Sequence, residues 1–251
     1  MLVCPDGETL PVPPRLSPLS PPARLVAIEG ASGHVPASSA DALTTALRLG
    51  AHGIWCRVWT SLDGVPVLHQ SGRLGGRVRR RMIADTLSTD LPGDVMRLDA
   101  LLANPHQPTL ILEPTGSGTS SLDLGIVILQ AARSAGVIDR LWMTSSDVDQ
   151  LRSWRELSAG VQLAHVSRLS ALDGGSERHA DRLRTSGIDA LSLPAPDWNP
   201  GQVTMLHRFR REAWATDAQF ESAISRVLDM GIDAVCGRFV DRMVDAAAQI
   251  G

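Results

Sequence analysis

Lysine and tyrosine are absent from this 251-residue chain, and all 24 of its basic residues are arginine. Without an ε-amine there is no Schiff-base or ammonium catalyst, and without a phenol there is no phenolic acid or nucleophile. Arginine in place of lysine is also what a GC-rich coding sequence produces. Cysteine is scarce: Cys4, Cys56 and Cys236 make neither a metal-ligand spacing nor an even-numbered disulfide framework, which predicts a reduced, cytoplasmic protein. No apolar run is long enough to span a bilayer, and the start of the chain lacks the basic-then-apolar pattern of a secretory signal. A formal net charge of -3 offers no electrostatic case for nucleic acid. The Gly-x-Ser-x-Gly elbow of a serine hydrolase is missing as well; Gly116-Ser117-Gly118 reads as a loop.

What is present is a regular alternation. Residues 1–24 carry seven of the 16 prolines and read as an extended arm, either packed across the bottom of the following domain or free. From Leu25 to the end at Gly251, short apolar runs alternate with segments of helical period. Strands are predicted at Leu25–Ile28, Ile54–Val58, Val65–Leu68, Thr109–Glu113, Leu141–Thr144, Val161–Val166, Ile188–Leu193, Glu212–Ala215 and Ile232–Cys236. Helices are predicted over Ser39–Leu49 (capped by Ser38 or Ser39), Ser121–Ala135, Val148–Leu157, Glu177–Thr185, Val203–Phe209, Phe220–Met230 and Val240–Ile250. About eight strand–helix units imply parallel strands covered by helices, and a closed (β/α)₈ TIM barrel fits that count better than an open sheet. Gly30-Ala31-Ser32-Gly33 leads into a loop with Pro36 rather than directly into a helix, so it is no dinucleotide fingerprint. A chain of this length folded as one domain buries about three quarters of its unfolded surface.

Three segments stand out by order and spacing: Val26-Ala27-Ile28-Glu29-Gly30-Ala31-Ser32-Gly33, Gly50-Ala51-His52-Gly53-Ile54-Trp55-Cys56-Arg57-Val58, and Leu62-Asp63-Gly64-Val65-Pro66-Val67-Leu68-His69-Gln70-Ser71. With Ser145, Asp147, Trp214, Gly231 and Asp233 further on, they resemble the glycerophosphodiester phosphodiesterase family from Leu25 to about Met243. The resemblance implies a barrel of the phospholipase-C-like phosphodiesterase type. It also implies a reaction in which two histidines act as acid and base while a carboxylate-held Ca²⁺ or Mg²⁺ polarises the phosphoryl oxygens.

The positions that would carry this chemistry hold other residues. Ile28 stands for the first histidine and Glu29 for the arginine after it. Trp55 and Arg57 replace the two metal carboxylates of the second strand. Gln70 aligns with the second histidine and Ser71 with the Asp after it; His69 lies one residue early, on the opposite strand face unless the chain bulges. Ala37 and Arg238 replace two further acidic residues, and Thr115 a lysine. Only Glu113 stands at a possible surviving ligand position, and one carboxylate does not hold a hard divalent cation tightly. The resemblance therefore implies a non-catalytic barrel with no metal or other cofactor, acting as a ligand-binding or protein-interaction module in glycerophosphodiester metabolism. The alternative is an active phosphodiesterase, with Ca²⁺ or Mg²⁺, that uses Glu113, His69 and Arg57 in rearranged roles.

Two readings stay open for the substituted site. Arg57 and Arg238 could grip a phosphate or carboxylate ligand bidentately, or Glu29 could bridge these arginines and fill the vacated space with an ion pair. Trp55 is expected to plug the metal cavity. Trp214, by the resemblance, lines the substrate head-group pocket, with core packing as the competing reading. His34 and His69 read as ordinary loop or strand-end residues. Cys56 and Cys236 read as barrel packing. The run Arg73–Arg81 is a solvated loop or a contact for an anionic partner, such as a phospholipid head group or an acidic protein face.

Overall fold

Apolar runs of four to six residues fold here as strands with both faces buried. The computed structural model describes residues 16–75, 80–103, 108–116 and 121–250. The strands are β1 (Arg24–Ile28), β2 (Gly53–Thr60), β3 (Pro66–Leu68), β4 (Arg73–Leu74), β5 (Arg81–Met82), β6 (Thr109–Pro114), β7 (Leu141–Ser145), β8 (Gln162–Val166), β9 (Ala190–Pro194), β10 (Glu212–Thr216) and β11 (Ala234–Gly237). Eight of them pair in parallel in the cyclic order β1-β2-β6-β7-β8-β9-β10-β11, and β11 returns to β1. The sheet is a closed (β/α)₈ barrel, as expected. β3 adds antiparallel to the end of β2, with Val58 opposite Leu68 and Thr60 opposite Pro66.

The helices are α1 (Ala40–Arg48), α2 (Leu98–Leu102), α3 (Ser121–Ser134), α4 (Val148–Leu157), α5 (Gly175–Thr185), α6 (Pro200–Arg208), α7 (Glu221–Asp229) and α8 (Val240–Ala248). Their starts have local causes. The Ser39 side chain accepts from Ala42 N–H, Asp147 from Asp149 and Gln150 N–H, and Asn199 forms a capping box with Gln202 behind Pro200. Gly30 (φ +73) turns the chain from β1 towards α1; a Cβ there would lie 2.7 Å from the Ala42 backbone carbon, so no other residue fits. Val161, Ile188 and Ile232, expected to open strands, lie just before β8, β9 and β11. They are apolar because they pack under helices in the outer core, not because they join the ladder.

Alternate side chains of each barrel strand point inward, and their sizes are matched across the barrel. Trp55, Trp142 and Trp214, on β2, β7 and β10, fill the interior, and the small Ala164, Ala190 and Ala234 on β8, β9 and β11 leave room for them. Trp142 and Trp214 lie with ring centroids 4.5 Å apart, and Trp55 meets Trp214 edge-on at 6.2 Å. At the N-terminal end, Arg24 of β1 pairs with Glu212 of β10 and lies 5.2 and 5.6 Å from the Trp142 and Trp214 ring centroids. Trp214 Nε1 donates to the same carboxylate at 2.8 Å. A charged pair therefore closes the bottom of the barrel.

Of the proline-rich arm, residues 1–15, Cys4 among them, lie outside the described residues; the part from Leu16 packs across the barrel bottom. Leu19 N–H donates to the buried Asp233 carboxylate at 2.6 Å, and Leu16 N–H to the Asp229 carbonyl at 3.3 Å. Asp233 also accepts from Ala213 N–H and pairs with His207, so it ties the arm, α6 and two strands together. Arg73–Leu74 and Arg81–Met82 form a two-stranded ribbon that bounds the arginine-rich run. Residues 76–79 of that run, and 117–118 of Gly116-Ser117-Gly118, lie outside the described residues. No helix among the described residues is long and apolar enough to cross a membrane.

Candidate functional site

In a parallel barrel the loops after the strands form the functional face, and five of the residues singled out from the sequence, Glu29, Trp55, Arg57, Gln70 and Glu113, meet there. Arg57 and Glu113 sit opposite each other in the β2–β6 register, and Trp55 lies one inward position below Arg57. Arg57 Nε approaches Glu113 Oε2 at 3.4 Å, and Trp55 Nε1 donates to the same oxygen at 3.2 Å. The other end of the guanidinium, Nη1, donates to the Gln70 backbone carbonyl at 3.0 Å. Arg57 is thus held by β6 on one side and by the loop after β3 on the other, while its side chain stays 43% exposed.

Glu29 follows β1 at φ +56, a conformation that costs energy for a residue with a Cβ. Its surroundings hold it there. Oε1 accepts from Arg57 N–H at 3.3 Å, Oε2 accepts from the Ser38 hydroxyl, and the Glu29 carbonyl accepts from Ser38 N–H at 3.0 Å. Ser38 itself has φ +59, so two left-handed residues brace each other. Glu29 is only 2% exposed. Burial pushes its carboxyl pKa up, Ser38 and Arg57 hold it down, and Glu113 adds to the rise.

This arrangement differs from the expected bridge between Glu29 and the arginines. The guanidinium of Arg57 goes to Glu113, and Glu29 takes only the Arg57 backbone N–H. Arg238, just past β11, is exposed and forms no ion pair among the described residues, although its carbonyl accepts from Gly33 N–H. It is not gathered into the cluster. Trp214 is 1% exposed and bonded downward to Glu212, so it packs the barrel interior rather than lining an open pocket.

His69 Nδ1 accepts from the N–H groups of Ser71 and Gly72 at 3.1 and 3.0 Å, and burial lowers its pKa. Those bonds make it the staple of a tight turn, with its basic nitrogen already engaged. Ile28 packs against the inner core. His34 bonds Asp241 at 3.0 Å. Cys56 and Cys236 are free and buried, with thiol pKa values pushed up by burial.

Sequence reasoning missed Ser38 as a partner of Glu29. The signal was the pair Ser38-Ser39: one serine caps α1, and the other is left for a second acceptor.

Whether this face fits a divalent cation follows from its donors. Trp55 and Arg57 already engage Glu113 Oε2, and Arg57 places positive charge beside it. Among the described residues, no group of three or more His, Cys, Asp or Glu side chains converges as a metal site. A hard cation needs several free oxygen ligands, so the residues present do not fit one.

No family model and no curated protein matches this chain. Solved structures do. A protein from Silicibacter pomeroyi described as a glycerophosphoryl diester phosphodiesterase superposes with a TM-score of 0.83 at 17% identity, over 94% of this chain and 96% of that one. The glycerophosphodiester phosphodiesterase of Thermotoga maritima gives 0.76 at 16% identity, over 90% and 99% of the two chains. An Oleispira antarctica phosphodiesterase in complex with its product sn-glycerol-3-phosphate also gives 0.76 at 16% identity, over 90% and 96%. The chain therefore has the barrel fold of these phosphodiesterases. At such identities a shared fold does not transfer the reaction.

Proposed function

We propose that this chain is a divergent, non-catalytic member of the glycerophosphodiester phosphodiesterase family: a cytoplasmic module of phospholipid metabolism that binds a phosphate-containing small molecule at the barrel mouth. One observation carries the reading. At the position where the resemblance places a metal carboxylate stands Arg57, pinned by Glu113 and the Gln70 carbonyl yet still partly open to solvent. A fixed guanidinium can take the phosphate oxygens that a cation would otherwise take. It cannot hold a cation, and it cannot shuttle a proton. Ile28 and Gln70, in the two histidine positions, cannot do so either. The phosphate ester bound by the Oleispira antarctica neighbour supplies a probe of the right class.

The test has two arms. Purified protein is melted with and without Ca²⁺ or Mg²⁺ and assayed for glycerol 3-phosphate release from glycerophosphocholine; the expected result is no metal-dependent rise in melting temperature and no release above that of a Glu113→Ala variant. In the second arm, sn-glycerol 3-phosphate binds wild type, and Arg57→Gln weakens that binding at least tenfold. Metal-dependent turnover that Glu113→Ala abolishes would establish the rearranged enzyme instead.

A further inference from the structure

Three strands away from Arg57, the loops after β7 and β8 and the face of α5 that carries His179 and Arg182 line a cleft of about 550 Å³, within the size range of small-molecule sites. Two histidines form part of its wall, His165 from the helix-facing side of β8 and His179 from α5. Their rings lie 4.9 Å apart between centroids, and His179 Nε2 is 3.1 Å from His165 Nδ1.

The hydrogen bonds assign the protons. His165 Nε2 is 3.2 Å from the Ser146 carbonyl, which only accepts, so Nε2 carries hydrogen and Nδ1 of the neutral ring is an acceptor. His179 Nε2 must then donate to it. That leaves His179 Nδ1 as a bare lone pair, buried and without a partner. Arg182 faces both rings and disfavours charging either of them.

The rest of the lining is polar. Arg168 and Arg182 are exposed, on a loop and on a helix, and neither forms an ion pair among the described residues. An oxyanion with three terminal oxygens can bridge two guanidinium forks, whereas a carboxylate serves one. The carboxylates of Asp147 and Asp173 also line the cleft; Asp147 caps α4 with Oδ1, and Asp173 is exposed. Carboxylates accept hydrogen bonds, so they call for hydroxyl donors on the same ligand.

We infer that this cleft is a second binding site, separate from the barrel mouth, for a small phosphorylated polyol: Arg168 and Arg182 take the phosphate, while Asp173 takes hydroxyls.

The test uses the full chain, titrated calorimetrically with sn-glycerol 3-phosphate, inorganic phosphate and glycerol. The expected result is that the ester binds, glycerol does not, and phosphate binds at least tenfold more weakly than the ester. The double variant Arg168→Gln/Arg182→Gln, checked for native circular dichroism, loses the cleft component, and Arg57→Gln keeps it. Absence of ester binding, phosphate binding as tightly as the ester, or ester binding that only Arg57→Gln removes would each overturn the inference. The last outcome would leave the barrel-mouth reading standing, and binding removed only by the double variant would do the reverse.

Discussion

Acidification is expected to destabilise this protein through one buried ring. His179 is 3% exposed and already donates its one hydrogen to His165. A second proton would put charge into an interior flanked by two groups that repel it. Burial first, then His165 and Arg182, lower its pKa from 6.5 to about 4, with Asp173 opposing. The folded value lies below the unfolded one, so the unfolded chain takes up the proton first. The stabilisation is therefore complete above about pH 6.5 and is lost as the pH falls towards 4.

At about 1.4 kcal/mol per pKa unit, the full displacement corresponds to roughly 3 kcal/mol, and His165, lowered chiefly by burial, shifts the same way. The assay is guanidinium unfolding followed by tryptophan fluorescence between pH 7 and 4.5, for wild type and His179→Gln. The amide keeps a donor for His165 and cannot titrate. Wild type should lose roughly 1–3 kcal/mol more than the variant across this range. Carboxylates titrate in both proteins, so parallel curves would show that the pair contributes nothing and would refute the proton assignment.

Two further substitutions test charges inside the barrel. Arg24→Met leaves Glu212 without its ion-pair partner beneath Trp214 and should cost roughly 3 kcal/mol, while Arg24→Met/Glu212→Gln should recover much of it; equal stability of the single and double variants by urea unfolding would contradict this. Glu29→Gln should raise the melting temperature at pH 7, because burial lifts the Glu29 pKa and its ionisation is opposed in the fold. For a raised carboxyl, stability is present at low pH and lost as pH rises through the folded pKa, so the gain should shrink towards pH 4. A gain independent of pH would assign it to packing.

The barrel was legible because its cause is local. Runs such as Leu110-Ile111-Leu112 are apolar at every position, as a strand buried on both faces must be, and Ser39 caps the helix expected there by its own hydrogen bond; α6 instead starts at Pro200, behind the Asn199 cap and three residues before the expected Val203. Boundaries slipped where burial and ladder part company, at Val161, Ile188 and Ile232. The site was legible as a set of substitutions but not as a set of contacts. Glu29, Arg57 and Glu113 could be placed at strand ends; which carboxylate takes the guanidinium depends on side-chain reach across the β2–β6 register. His165 and His179 gave no signal, since one reads as a strand residue and the other as a helix residue until α5 packs on β8.

Period, turn residues and caps act within a few residues, so the sequence by itself determined the alternation of strand and helix and thus the closed parallel barrel. By the resemblance, it also puts Ile28 and Gln70 at the two histidine positions and leaves only Glu113 of the expected ligands. Pairing between groups 9 to 188 positions apart is settled only by closure and packing, and so only the tertiary structure decided the rest. It gave Arg57 to Glu113, turned Glu29 to Ser38, buried Trp214 above Arg24 and Glu212, and brought two histidines to the wall of one cleft.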